Sequence, residues 1–249
     1  MNDLKLRTLF AVCLFWQILS LGIPPRVGAQ AQTHQNPLAE HLIFNEAFEP
    51  TEGERPNTRG GGSRPAPNCP NSSGAIEPLM PEKNYGLTFE ERPSLFFKLP
   101  ETTARSVLLV FENKADEFRE EAILPIAQTS GIVSFALPDL VSPLETGKTY
   151  EWRVAFICGE EVSVDDPFFN GYVTRITHTP EIAAKLVQKT TSERAQWYAE
   201  QGYWYDLLSM MVLARQESPD DPNLQALWES LLSSVGLEDI ASQPSSAID

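Results

Sequence analysis

The most regular pattern of hydrophobic and polar positions in the chain lies between Thr149 and Cys158. Every second position is hydrophobic, with polar residues between the first of them, and the hydrophobic positions are Tyr150, Trp152, Val154, Phe156 and Cys158. Successive side chains of a β-strand point to opposite faces, so this spacing predicts one long strand with a continuous apolar face. Such a face has to be covered by another layer of the protein.

Five further segments between Leu79 and Thr177 have the short, apolar or alternating pattern of strands. Each is bounded by Pro, Gly, Asn or Asp, which favour turns. This succession, with no helical periodicity, predicts an antiparallel β-sandwich of the immunoglobulin or fibronectin III type. Gly147, three residues before Tyr150, resembles the start of a tyrosine corner, in which a tyrosine hydroxyl pins the preceding loop. The predicted strands are 94–99, 106–111, 118–124, 131–137, 149–158 and 168–177.

From Thr179 onwards the period of the hydrophobic positions becomes that of a helix. Thr179 and Asp221 each precede a proline, which is typical of an N-cap followed by Pro at the first helical position. Gly202 suits the end of a helix. The sequence therefore predicts an α+β protein in which a small helical segment follows the sandwich, with helices at about 180–188, 191–202, 204–217 and 222–236.

The helical segment resembles the tetratricopeptide repeat in the spacing of its small, aromatic and glycine residues. Gly202 recurs as Gly236 after 34 residues, which is the period of that repeat. Leu207 departs from the usual alanine, and Leu232 stands in the second copy where Tyr198 stands in the first. Because several repeats are normally needed for independent stability, we expect these helices to pack on the sandwich or on another protein. The matching positions are Ala195, Tyr198, Gly202, Trp204, Leu207, Met211, Ala214 and Pro219.

The first 29 residues have the features of a secretory signal peptide. Lys5 and Arg7 precede a mostly apolar stretch at 9–23, and small residues end at Ala29, before a predicted cut at Gln30. An uncleaved membrane anchor is the alternative, although the apolar stretch is shorter than the roughly 20 residues of a spanning helix. After cleavage we expect no stable membrane insertion and a periplasmic or secreted location.

Residues 30–75 are rich in Gln, Pro, Gly, Asn and Arg and contain few hydrophobic residues. This composition cannot offset the entropy of ordering the chain, so it predicts a disordered linker. Within it, the apolar cluster formed by 42–44 together with Ala47 and Phe48 either folds against a partner or has no role. The predicted domains are a signal peptide at 1–29, the linker at 30–75, the β-sandwich at 76–178, the helical segment at 179–242 and a disordered tail at 243–249.

Two cysteines, Cys69 and Cys158, follow the predicted cleavage site. An even pair in an exported protein is a natural disulfide candidate. Cys158 ends the longest predicted strand and Cys69 comes just before the folded region, so a bridge would tie the start of the folded chain to the sandwich. Two buried free thiols are the alternative.

The formal net charge of the chain is −15 at neutral pH. A strongly acidic surface repels nucleic acids and anionic membranes, so neither is expected as a partner. The charge suits a soluble protein, or one that attracts basic partners or cations.

Several segments occur in the order found in a family of exported cyanobacterial proteins known as domain of unknown function 928, which the chain resembles over about residues 69–242. The resemblance implies export and a layout of a sandwich followed by helices. It supplies no established activity and no catalytic residues. The matching segments are 79–88, 91–97, 147–152 with Ile157 and Cys158, 194–206 and 234–240.

The sequence contains few of the groups that catalysis needs. His34 and His41 lie in the predicted linker, and Ser-His-Asp chemistry would have to use His178, with no Gly-x-Ser-x-Gly motif present. The acidic loop 160–166 could hold calcium, but it lacks the regular Asp and Asn spacing of calcium loops. We therefore predict a protein that is not an enzyme and has no catalytic residue, metal or cofactor.

Aromatic residues are dense at the predicted junction of the sandwich and the helices. They either fill the core between the two parts or line a groove for a peptide or a glycan, since aromatic residues dominate binding hot spots. On the second interpretation the residues that bind a partner are Trp197, Tyr203, Trp204 and Tyr205.

These observations together favour a non-catalytic protein–protein interaction module. Its partner would be another envelope or secreted protein, bound as a helix or an extended peptide laid against the helices. A carbohydrate- or envelope-binding sandwich is the first alternative and would need exposed coplanar aromatic residues on the strands. A hydrolase is the second and would need His178 or the acidic loop to line a shared pocket.

Overall fold

The computed structural model describes residues 42–46, 69, 74–128 and 130–241. They belong to one compact unit of the chain, Gln35–Asp249. The predicted signal peptide, most of the predicted linker and the predicted tail lie outside the described residues. Within the described ranges, no helix is both long enough and apolar enough to cross a membrane.

Strands in the first part of the described chain form two sheets. They are β1 (Glu77–Pro78), β2 (Tyr85–Thr88), β3 (Leu95–Leu99), β4 (Ser106–Asn113), β5 (Phe118–Pro125), β6 (Gly131–Phe135), β7 (Thr149–Ile157) and β8 (Phe168–Arg175). The smaller sheet has the order β1-β3-β6 and the larger one the order β2-β8-β7-β4-β5. The six predicted strands are confirmed as β3 to β8, whereas β1 and β2 are too short for periodicity to predict them.

One pair of neighbouring strands is parallel, which corrects the expectation of a purely antiparallel arrangement. β2 runs parallel to β8, with Tyr85 opposite Tyr172 and Thr88 opposite Arg175. The other strand pairs of the described sheets are antiparallel. Parallel neighbours cannot be joined by a tight hairpin. The strands β3 to β7 lie between β2 and β8 along the chain, so no local pattern predicts that β2 and β8 pair.

The inner faces of the two sheets share one core. The ring of Phe97 on β3 lies 5.4 Å from that of Phe156, 6.2 Å from Trp152 and 5.6 Å from Phe169, measured between centroids. Along β7 the buried side chains occur at every second position from Tyr150 to Phe156, as the alternation predicts. Interlocking aromatic side chains therefore hold the two sheets together.

Tyr150 pins the loop before β7 in the manner expected of a tyrosine corner. Its hydroxyl accepts a hydrogen bond of 2.9 Å from the backbone N–H of Glu145. Gly147, between the two, has a φ of +80°, a left-handed conformation that favours glycine. The side chain is buried, and burial raises the pKa of Tyr150 above its ordinary value.

Helices follow the strands from Pro180 onwards, and predicted capping residues mark two of their starts and one of their ends. Thr179 accepts a hydrogen bond from the N–H of Ile182, and Asp221 accepts one from the N–H of Asn223. Gly202 ends α2 with a φ of +78°. The helices are α1 (Pro180–Val187), α2 (Thr191–Gln201), α3 (Trp204–Glu217), α4 (Pro222–Ser234) and the short α5 (Glu238–Ala241), which the sequence pattern does not predict.

The predicted disulfide is present between Cys69 and Cys158, whose Cα atoms lie 5.0 Å apart. It joins the residue just after the end of β7 to a position 89 residues earlier in the chain. In the chain-entropy model, closing a loop of this length stabilises the fold by about 4–5 kcal/mol.

Candidate functional site at the junction of helices and sheet

The helix α3 lies directly on the backbone of β2, because β2 carries a glycine at the contact. A Cβ atom on Gly86 would come within 2.6 Å of the Cβ of Trp204. Gly171 on β8 has a similar role, since its Cβ would lie 2.4 Å from Cζ2 of Trp152. Real side chains do not approach this closely, so both positions require glycine.

The turn between α2 and α3 covers the free edge of β2. The N–H of Leu87 donates a hydrogen bond of 2.9 Å to the carbonyl oxygen of Gly202. The indole N–H of Trp204 donates to the carbonyl oxygen of Leu79, also at 2.9 Å. The first bond satisfies a backbone group of β2 at an edge that would otherwise be open to other strands. The second ties Trp204 to the residue that follows β1.

A buried chain of hydrogen bonds joins α3 to two strands of the larger sheet. The indole N–H of Trp152 donates to the hydroxyl of Tyr205 at 2.7 Å. The Tyr205 hydroxyl donates in turn to the carbonyl oxygen of Tyr172 at 2.9 Å. Burial raises the pKa of Tyr205 far above its ordinary value, so this hydroxyl stays protonated and can donate.

The predicted partner-binding residues are therefore divided between the interior and the surface. Trp204 is 0% exposed and Tyr205 is 2% exposed, so both lie in the core between helices and sheet. Tyr203 is also buried. Trp197 is half-buried. Of these four side chains it is the one that remains accessible.

Four near-parallel aromatic rings fill the corner between β2 and the helices. The ring of Phe89 lies 4.5 Å from that of His178 and 4.1 Å from that of Tyr203, and Trp197 stacks on Tyr203 at 5.4 Å. His178 is exposed. The stacking gives its imidazole a packing role at the outer side of the aromatic group.

A carboxylate that sequence reasoning missed lies beneath this corner. Asp206, in the first turn of α3, accepts hydrogen bonds of 3.2 and 3.3 Å from the N–H of Phe89. The side chain is almost fully buried, and burial raises its pKa to about 7, against the opposing effect of hydrogen bonds from Phe89 and Thr88. An acidic residue in the first turn of a helix is common, so no sequence signal marks this one as buried.

A segment from the predicted linker binds to the helices. We name residues 42–46 the strap, and the surface that they cover the strap groove, formed by Ala199, Glu200, Trp204, Ser230 and Ser234. Leu42 is 0% exposed and Phe44 is 6% exposed, whereas Ile43 between them is 67% exposed. The Phe44 ring packs edge-on against Trp204 with centroids 4.9 Å apart. For these five residues the structure differs from the linker prediction.

The backbone of the strap is hydrogen-bonded to both sides of the strap groove. The N–H of Phe44 donates to the hydroxyl of Ser234, and the hydroxyl of Ser230 donates to the carbonyl oxygen of Leu42, both at 3.1 Å. On the other side, the N–H of Asn45 donates to the carbonyl oxygen of Ala199 at 3.0 Å. The strap is thus bound as an extended peptide whose alternate side chains point into the protein.

The acidic loop after β7 has a structural explanation. Asp166 is buried and accepts hydrogen bonds from the N–H groups of Ser163 at 2.8 Å and Cys158 at 3.3 Å. It therefore closes the loop on itself. Among the described residues, no group of three or more His, Cys, Asp or Glu side chains is placed to hold a metal ion.

An open pocket of about 530 Å³ lies where the strap ends. Its walls include the carboxylates of Glu46, Glu77 and Glu82 and the apolar side chains of Met80 and Leu237. Glu77 lies 3.7 Å from Lys98, measured between carboxylate oxygen and Nζ. The residues that line the pocket include no histidine, cysteine or lysine.

A family model described as "Domain of Unknown Function (DUF928)" matches residues 59–245. None of the curated proteins and none of the solved structures matches the chain. The matched range contains every described strand and helix, together with both cysteines of the disulfide and all the residues of the strap groove. Since the match covers most of the chain, the protein belongs to the DUF928 family.

Proposed function

We propose that this protein is a non-catalytic protein–protein interaction module that binds an extended segment of another exported protein along its C-terminal helices. One observation carries the proposal. The helices already bind an extended segment, the strap, which lies far from them along the chain. The N–H of Phe44 and the Ser234 hydroxyl that it contacts are 190 residues apart in sequence.

The chemistry of the strap groove supports a peptide as the ligand. Hydrogen bonds to the peptide backbone are available from Ser230 and Ser234 on one side and from the end of α2 on the other. The Phe44 ring packs against Trp204, and Leu42, two positions earlier, is also buried. Main-chain hydrogen bonds provide affinity and pockets for alternate side chains provide specificity in other proteins that bind extended peptides.

The proposed architecture is a sandwich of the immunoglobulin or fibronectin III type that carries a tetratricopeptide-like segment. The hydrogen bond of Tyr150 and the two-sheet strand order support the first assignment. Gly202 and Gly236 support the second, because they are 34 residues apart and have nearly the same φ, +78° and +77°.

The proposed location is the periplasm or the exterior of a cyanobacterial cell. The charged, apolar and small-residue order of the first 29 residues supports export. The disulfide between Cys69 and Cys158 is consistent with an oxidising compartment. The partner would then be another envelope or secreted protein.

Site-specific photo-crosslinking in the exporting cell tests the proposal. A photoreactive residue replaces Glu200 in the strap groove or Ser233 next to it in sequence, both of which are exposed. We expect each to form a covalent adduct with another exported protein. A crosslink to the strap itself leaves the mass unchanged, so partner adducts separate by size.

Positions on β5 provide the matched control, since Glu121 and Ile123 are exposed there. Photoreactive residues at these two positions should give no specific adduct. Adducts that form from β5 and not from the strap groove would show that the partner binds the sheet, and the proposed binding surface would then be wrong.

A further inference from the structure

The strap occupies the surface on which the proposed function depends. Its apolar side chains and its backbone use the Trp204 ring, the two serine hydroxyls of α4 and the carbonyl groups at the end of α2. A partner segment bound in the same way would need the same groups. Two peptides cannot use them at once.

We infer that the strap is an intramolecular competitor, and that a partner segment of the same chemical pattern displaces it. The inference rests on the proposed function and adds to it the regulation of the site and the class of peptide that the site accepts. That class is an extended segment with an apolar residue, any residue, an aromatic residue and an asparagine in succession.

The first three positions of the pattern follow from exposure and packing. Leu42 is completely buried, so the first position accepts an apolar side chain. Ile43 is largely exposed, so the second position is unselective. Phe44 packs edge-on against the Trp204 ring, and this geometry selects an aromatic side chain at the third position.

The fourth position is selected by the end of α2. The Asn45 backbone N–H donates to the carbonyl oxygen of Ala199, and its side-chain amide donates to that of Glu200 at 3.1 Å. The last carbonyl groups of a helix lack partners within the helix and carry the negative end of its dipole. They therefore favour an amide N–H donor, and an aspartate at this position would be repelled.

Release of the strap has a measurable consequence for binding. Only molecules whose strap has left the strap groove can bind a partner peptide there. When they are a fraction of the population, the apparent affinity for the peptide is reduced in proportion to that fraction. A variant that holds the strap open should therefore bind a matching peptide more tightly than the intact protein does.

The experiment uses a fluorescent synthetic peptide with the sequence of residues 38–48, titrated against the full chain and followed by anisotropy. One opened variant carries Leu42→Ser with Phe44→Ser. A second carries Asn45→Asp, which leaves both apolar anchors in place and keeps the test valid if the first variant does not fold. We expect at least a tenfold lower dissociation constant for the opened variants than for the intact protein.

Matched peptides test the pattern itself. An Ile43→Ser peptide should bind as well as the parent, whereas Phe44→Ser and Asn45→Asp peptides should each bind at least tenfold more weakly. Equal affinity of the parent peptide for intact and opened proteins would overturn the inference and leave the proposed function standing.

Two further outcomes also overturn the inference. Failure of the peptide to bind any folded variant would mean that the strap groove is not a peptide site, and the proposed function would fail with it. A concentration-dependent dimer of the intact protein, abolished by Phe44→Ser in light scattering, would mean that the strap binds a second copy of the chain instead.

Discussion

The interface between the two sheets and the interface between α3 and the larger sheet are built differently. Apolar rings around Phe97 fill the first. The second contains buried polar links, from Trp152 through Tyr205 to Tyr172 and from Phe89 to Asp206. Apolar packing is non-directional, whereas each polar link needs its partner in place. The helices are therefore held in one position on the sheet by bonds that the sheet–sheet interface does not need.

The largest effect is expected from removing the ring at the centre of the sheet–sheet interface. Phe97→Ala should lower the free energy of unfolding by about 3–5 kcal/mol because it leaves a cavity among rings. Denaturant unfolding followed by tryptophan fluorescence measures the change. Phe168→Ala on the exposed side of β8 is the control and should change stability by about 0.5 kcal/mol or less. A similar loss in both variants would contradict the assignment of Phe97 to the core.

The helix–sheet interface should be sensitive to pH through Asp206. Its pKa is raised to about 7 in the folded protein from an ordinary value of 3.8, so the folded state holds a proton that the unfolded chain has released. The resulting contribution to the free energy of unfolding is present below pH 4. It is lost as the pH rises towards 7, by up to about 4 kcal/mol.

Profiles of the unfolding free energy against pH, compared between variants, separate the contribution of Asp206 from that of the other acidic residues. Asp206→Asn should remove this part of the slope between pH 4 and pH 7, while Phe97→Ala should keep the slope of the unmodified protein. Unfolding free energies measured across this range provide the test. Parallel profiles for the unmodified protein and Asp206→Asn would refute the role of Asp206.

A smaller loss of stability is expected at the contact between α3 and the backbone of β2. Gly86→Ala places a methyl group 2.6 Å from the Cβ of Trp204, so α3 has to move away from β2. Overpacking of this kind costs about 1–3 kcal/mol. Gly74→Ala is the control, because its nearest neighbour would be 3.6 Å away. Thermal unfolding of the two variants should give a lower midpoint for Gly86→Ala alone.

The smallest loss of stability is expected from removing one buried hydroxyl group. Tyr205→Phe leaves the Trp152 indole N–H and the Tyr172 carbonyl group without their partner at nearly constant volume, and should cost about 1–2 kcal/mol. Tyr203→Phe removes a hydroxyl two positions earlier in the chain and is expected to cost less. Equilibrium unfolding in urea compares them. An equal loss in both would mean that the hydrogen-bonded chain through Tyr205 adds no stability.

Local patterns predicted the elements of this protein well. The alternation along β7, the proline and threonine at the start of α1 and the glycine after α2 each act within a few residues, and the structure confirms them. The hydrogen bond between Tyr150 and the preceding loop and the disulfide also agree with the sequence prediction. β1, β2 and α5 are too short to produce a period, so the sequence did not indicate them.

The candidate site was predicted less well, because its contacts join distant parts of the chain. The sequence showed that aromatic residues cluster near Trp204 but not which of them are buried, since α3 could have presented either side to β2. Asp206 is indistinguishable by sequence from an ordinary residue in the first turn of a helix. The strap lies in a polar stretch whose composition favours disorder, and only its small apolar cluster signalled a contact.

Local sequence marked most of the ends of the longer strands and helices, because capping, turn chemistry and hydrophobic period depend on neighbouring residues. Contacts between distant parts of the chain established that β2 pairs in parallel with β8, that Tyr205 is buried beside Trp152 and that residues 42–46 cover the helices. These outcomes depend on which surfaces meet after the chain has folded, and no local pattern specifies that choice.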